Sequence, residues 1–233
     1  YILTVLSSLF LAVYFYILLT SFDIFPPAAA ISTILLVCNK YFIGFPVWNY
    51  FQINDLILLI AISISFYALF KGKWMLLMLA LVVGAFSRET ILLMLPMPLL
   101  YLIEKGNIRR DGLKAIIAII PSVIVFLLIR TLIPAPGNGP IEAFMEHSHK
   151  IASRGFWYGL FIGATAPVSL IPIVFLKETV QFFKENKYFL IYLIMVFVAA
   201  LFGRNNERLI APAFIVIYWL LAKIIQRYVY PHG

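Results

Sequence analysis

The chain has 233 residues, 64% hydrophobic and 12% charged, with a mean hydropathy of +1.01 and a formal net charge of +8. Soluble domains run at about 45–50% apolar and about 25% charged. The composition therefore excludes a soluble enzyme, a disordered chain and a secreted disulfide scaffold, because that much apolar surface cannot be hidden from water at this size.

At ~20 apolar residues per crossing, the sequence fits an all-α polytopic transmembrane helical bundle of about seven to nine spans. It reads as a single transmembrane domain over 1–233. The apolar runs are continuous and do not alternate, which argues against a β-barrel. In chain order, Tyr1–Phe22, Phe25–Cys38 and Leu56–Phe70 are predicted spans. Two shorter runs follow, Trp74–Phe86 and Thr90–Ile103, separated by Ser87-Arg88-Glu89. Gly112–Ile133, Phe156–Leu176, Tyr188–Phe202 and Ile210–Ile225 complete the set. Cys38, the single cysteine, is expected as a small buried hydrophobe. The chain opens at Tyr1 inside an apolar run, without a basic leader or a small-residue cleavage site, so further residues upstream are expected.

The positive balance fits cytoplasmic loops that meet anionic lipid, with no nucleic-acid partner. Lys71–Lys73, Glu104–Lys114, Lys177–Lys187 and Lys223–Gly233 hold eleven of the 18 Lys and Arg. With these four segments inside, Lys40, Arg88, Lys150, Arg154, Arg204 and Arg208 fall outside, and Arg130 lies near the outer end of its span, where it can snorkel. Trp74–Ile103 then has basic flanks of the same side at both ends, so it must go in and return. Each half provides ~20 Å of helix against ~30 Å of hydrocarbon, so a short or broken helix pair over 74–103 is expected. Its tip is Ser87-Arg88-Glu89. Working backward, Asn39–Asp55 lies outside and Ser21–Pro27 inside, which starts Tyr1 on the outer side and again calls for an earlier span. In the long connection Pro134–Gly155, the stretch Ile141–Ser153 is expected as a short amphipathic helix on the outer surface. Lys177–Lys187 has the same character on the cytoplasmic side.

No P-loop, dinucleotide fingerprint, GxSxG or HExxH is present. Functional weight falls on ionisable groups at the membrane, where a mid-bilayer charge costs ~2.5–3.5 kcal/mol or more. Arg88 and Glu89 form either a neutral pair capping the hairpin or a guanidinium offered to an anion and oriented by its neighbour. Arg204 and Arg208 sit four apart beside Glu207 in an outer turn. They form either a solvated turn anchored to headgroups or a bidentate phosphate clamp at a helix start. Asp55 is a further outer carboxylate with no identifiable partner in sequence. Glu142, Glu146, His147 and His149 could hold a divalent metal, but the spacing is not specific and a wetted loop is the plainer reading. No cofactor and no metal ligand set is assigned.

The stretch Asp55–Arg110 (DLILLIAISISFYALFKGKWMLLMLALVVGAFSRETILLMLPMPLLYLIEKGNIRR) resembles polytopic membrane glycosyltransferases of the GT-C class and related uncharacterised membrane proteins. The shared pattern is a span, a short basic turn, a helix ending in a small-x-x-Arg-Glu-Thr step (here Ser87-Arg88-Glu89-Thr90) and an apolar run into a basic loop. The late turn and Pro-containing span GRNNERLIAPAF are also similar to that class. The resemblance implies transfer of a sugar from a polyprenyl-phosphate carrier on the non-cytoplasmic face. It implies that Arg88, Arg204 and Arg208 bind the carrier phosphate and that Glu89, Glu207 and Asp55 line the same cavity. In that class a carboxylate of the first outer loop acts as base; that loop would lie upstream of Tyr1, so no catalytic residue is assigned. A multi-pass protein of a prokaryotic cytoplasmic (inner) membrane is expected, with membrane lipid and further membrane subunits as partners. The alternative is a non-enzymatic transporter or a structural, assembly subunit of a membrane complex.

Overall fold

The computed structural model describes residues 2–39, 53–132, 153–159, 161, 168–202 and 206–231. Among them the chain is all-helical. The helices are α1 (Ile2–Thr20), α2 (Pro26–Val37), α3 (Ile53–Phe70), α4 (Trp74–Ser87), α5 (Met97–Glu104), α6 (Ile108–Leu132), α7 (Arg154–Tyr158), α8 (Ile171–Val174), α9 (Leu176–Glu185), α10 (Lys187–Phe202) and α11 (Asn206–Val229). A 3₁₀ turn, Glu89–Met94, joins α4 to α5, and another, Val168–Leu170, precedes α8. Among the described residues four helices are long and apolar enough to cross a membrane: α1, α3, α6 and the Arg208–Val229 part of α11. α2, α4 and α10 are apolar but shorter.

The bundle is built around α3 and α11, whose faces are largely buried, while α1 and α6 lie at its periphery. α3 packs on α1 and α4, α4 on α6, and α11 on α2 and α10. Burial on α6 runs opposite to that of a soluble protein. Gly112, Ala115, Ala118 and Ser122 face the bundle, while Leu113, Ile116, Ile117, Ile120, Ile124, Leu127 and Leu128 point outward. Small residues at the helix contact and large aliphatics outside are the arrangement expected in lipid, where close backbone approach drives association. α1 likewise exposes large apolar residues (Leu3, Leu6, Leu9, Phe10 and Val13), but its buried face is made of large ones too: Leu11, Phe15, Leu18 and Leu19. Outward apolar faces of this extent exceed what soluble monomers present.

The two ends of the bundle differ. Asp55 opens α3, and α4 runs back to the same end, where the Ser87 hydroxyl donates to the Asn54 carbonyl. α5 then returns to the other end: Tyr101 meets Phe70 edge-on at 4.9 Å, and Glu104 accepts the backbone N–H groups of Lys187 (3.3 Å) and Tyr188 (3.0 Å). Trp74–Glu104 therefore runs from one end of the bundle to the other and back, with Ser87-Arg88-Glu89 at its tip. Two glycines make the turns at the far end. Gly72 (φ +64°) ends α3 and Gly106 (φ +71°) ends α5, left-handed positions that an L side chain resists. Gln226 of α11 ties in the α1–α2 turn, donating to the Asp23 carbonyl (3.2 Å) and accepting the Phe25 N–H (3.4 Å).

The core beside this end is aromatic. Phe66 meets Phe189 and Tyr192 edge-on at 5.3 and 5.4 Å, and Phe189 meets Trp219 at 5.1 Å. Such pairs contribute about 0.5–1.5 kcal/mol each beyond their area.

Two expectations change. Phe156–Leu176 is not one continuous span: its described residues form α7, a 3₁₀ turn and α8, separate short pieces. The sequence explains this, since Gly159, Gly163, Pro167 and Pro172 punctuate an otherwise apolar run. Among the described residues four helices are long and apolar enough to cross, with three shorter apolar helices beside them. Cys38, just past α2, is exposed, not buried. The expected helix Ile141–Ser153 lies outside the described residues apart from Ser153, while Lys177–Glu185 of the Lys177–Lys187 stretch lies in the amphipathic α9 and Lys187 opens α10.

Candidate functional site

At the end opposite the basic loops, three helices bring their charged residues to one point. Asp55 sits in the first turn of α3, where the helix dipole favours a carboxylate. It is only 2% exposed, so its charge needs partners. Two arrive from distant parts of the chain. Arg88 Nη1 donates to Asp55 Oδ1, and Arg208 Nε donates to Asp55 Oδ2 at 2.7 Å. The arginines remain 21% and 26% exposed, and among the described residues neither meets another acceptor. One carboxylate thus holds two guanidiniums, and among the described residues the cluster carries one excess positive charge and N–H donors without an acceptor.

The hairpin tip explains how Arg88 gets there. Its backbone N–H still closes the last turn of α4 on the Gly84 carbonyl (2.8 Å), but its φ of −159° and ψ of 145° are extended, so the helix stops. The following 3₁₀ turn folds back against α4, and Ile91 occupies the space over Gly84. A Cβ at Gly84 would stand 2.6 Å from Ile91 Cγ1. Glycine is required for that close approach. The buried Thr90 hydroxyl, beside the tip, has no hydrogen-bond partner among the described residues. Arg208 is placed by the first turn of α11, one of the two central helices.

Arg88 and Arg208 therefore meet at one carboxylate, that of Asp55. Asp55 joins them as an ion-pair hub, a partnership its local sequence does not disclose. Glu89 turns away from Arg88 and pairs with Arg130, in the last turn of α6, at a largely exposed position. Arg204 and the side chain of Glu207 lie outside the described residues, as does the Glu142–His149 segment. Among the described residues no group of three or more His, Cys, Asp or Glu gathers. One signal could have found the hub. The alternation of basic segments already places Asp55, Arg88, Arg130 and Arg208 on the same side, and a carboxylate at a helix start among three arginines will be paired.

Chemically, a buried carboxylate between two half-exposed guanidiniums is a fixed scaffold for presenting positive charge. Comparison with protein-family models, with curated proteins and with solved structures finds no match.

Proposed function

We propose that the chain is the membrane-embedded part of a GT-C-like transferase that takes a sugar from a polyprenyl-phosphate carrier. The four long helices, with the shorter apolar elements, would make a multi-pass bundle of about seven to nine crossings in a prokaryotic inner membrane. The basic loops would face the cytoplasm and Asp55, Arg88 and Arg208 the other side. The observation that carries this reading is the two-arginine, one-carboxylate cluster. Asp55 splays the guanidiniums, and their remaining donors suit a phosphate diester that departs with developing negative charge. Arg204, four residues before Arg208, would add to the clamp, with Glu207 beside it. No metal or other cofactor enters this reading.

The test is transfer from polyprenyl-phosphate-linked sugars by the full-length protein in membranes. Arg208→Gln and Arg88→Gln should each lower turnover by about 10²–10³-fold, the usual loss of one preorganised donor to developing charge. Unchanged turnover in both variants would overturn the assignment.

One observation favours a second reading. Both arginines already have a protein counter-charge, as in an ion-paired anchor of an assembly subunit. Replacing a buried ionic cluster by apolar residues of similar volume is often neutral or stabilising. An Asp55→Leu, Arg88→Met, Arg208→Met triple variant that still supports the protein's cellular role would select this reading; loss of that role with the fold intact would select the transferase.

A further inference from the structure

The hairpin tip carries opposite charges on adjacent residues, and each side chain pairs elsewhere. Arg88 reaches α3, where it donates to Asp55, and Glu89 reaches Arg130 in the last turn of α6. α4 packs on both α3 and α6, so the two charges find their partners on its two neighbours. Ser87 completes the fastening by donating to the Asn54 carbonyl. Both partners are held in turn. Asp55 is locked between two arginines, and the Arg130 guanidinium lies over the ring of Phe126, one turn back on α6, at 5.8 Å.

This division of partners bears directly on Arg88. Glu89, the next residue in the chain, is a carboxylate that can compete for its guanidinium. At 55% exposed, the Glu89 side chain has room to change partner. An Arg88 engaged by Asp55 and Glu89 together would have few donors left for an anion. The charge balance moves the same way. Among the described residues of the two clusters, three arginines face two carboxylates, a net +1 that falls to zero without Arg130. Exposed ion pairs contribute little to stability, so the Glu89–Arg130 pair matters more for where the carboxylate points than for holding the fold.

We propose that Arg130 is a positioning residue for the anion site: it sequesters the Glu89 carboxylate and so leaves the free donors of Arg88 to the phosphate of the ligand. This role rests on reading Arg88 and Arg208 as phosphate-binding groups. It acts through Glu89, not through contact between Arg130 and the ligand.

The test is equilibrium binding of farnesyl phosphate, a short polyprenyl phosphate, by the full-length protein in detergent, with farnesol as the control that lacks the anion. Arg130→Gln should weaken binding about two- to fivefold, the scale of one exposed charge pair. Glu89→Gln removes the competitor and should bind at least as tightly as the unmodified protein. The Glu89→Gln, Arg130→Gln double variant should therefore recover the affinity that Arg130→Gln loses. A tie that served only the fold would behave otherwise, with both single variants weakened and no recovery in the double one. Direct contact of Arg130 with the phosphate would leave the double variant as weak as Arg130→Gln. Either pattern, or binding unchanged by Arg130→Gln, would overturn the proposal. Farnesyl phosphate bound no better than farnesol by the unmodified protein would refute the phosphate-binding reading itself. Phosphate-dependent binding that is indifferent to Arg130 would refute only its positioning role.

Discussion

The two ends of the bundle use charge in opposite ways. At the basic end, charges are numerous, exposed and paired within a turn or between neighbouring helices, as in Asp111–Lys114 and Glu178–Arg227. At the other end, a single buried carboxylate gathers two arginines that stand 33 and 153 residues away in sequence. Energetically the contrast is large. Breaking a buried pair costs about 3–5 kcal/mol because a charge is left without compensation, while exposed pairs contribute about 0.2–1 kcal/mol. The few charges at the Asp55 end should therefore dominate both stability and specificity, and the many at the basic end should set orientation.

Substitutions at the two ends test that contrast. Asp55→Asn should have the largest effect, destabilising the protein by about 3–5 kcal/mol and lowering the thermal midpoint in detergent well beyond any single change at the basic end. Gly84→Val comes next. Its side chain meets Ile91 at less than contact distance, so overpacking should cost about 1–3 kcal/mol. Because the same turn aims Arg88, this variant should also lose whatever Arg88 binds, read as weakened retention of a polyprenyl phosphate. Asp111→Asn removes only an exposed i,i+3 pair and should change stability by less than about 0.5 kcal/mol. The smallest effect is expected from Tyr228→Phe. The Tyr228 hydroxyl donates to the Glu178 carboxyl and holds it low in the folded state, so its contribution is present above the ordinary carboxylate value and fades as pH falls through the depressed one. The difference in thermal midpoint between Tyr228→Phe and the unmodified protein should thus be visible at about pH 7 and vanish toward about pH 3. A difference that grows on acidification would reverse the sign and contradict the pairing.

Legibility in the sequence follows the range of the interactions. α1, α3, α6, α10 and α11 fall on continuous apolar runs, so their existence is plain from composition; the ends of α6 and α11 extend into charged residues because a helix continues past the apolar stretch. The hairpin over 74–104 is legible because Arg88 and Glu89 interrupt an apolar run between two basic flanks. Phe156–Leu176 misleads because mean apolarity hides the Gly and Pro residues that stop a helix. The site was half legible. Arg88 and Arg208 stand out as charges on the side poor in Lys and Arg, but their meeting on Asp55, and the pairing of Glu89 with Arg130, depend on which helices pack together. No local pattern encodes that. Cys38 follows the same rule, since an apolar neighbourhood does not say which face of the chain looks outward.

The most direct test of the central claim is a double-mutant cycle between Asp55 and Arg208, using Asp55→Asn and Arg208→Gln with unfolding measured in one detergent. The account predicts a coupling of at least about 1 kcal/mol, with the double variant far less damaged than the sum of the single ones. Additivity within about 0.5 kcal/mol would mean that the two groups do not share an ion pair, and the hub on which the proposed function rests would not exist.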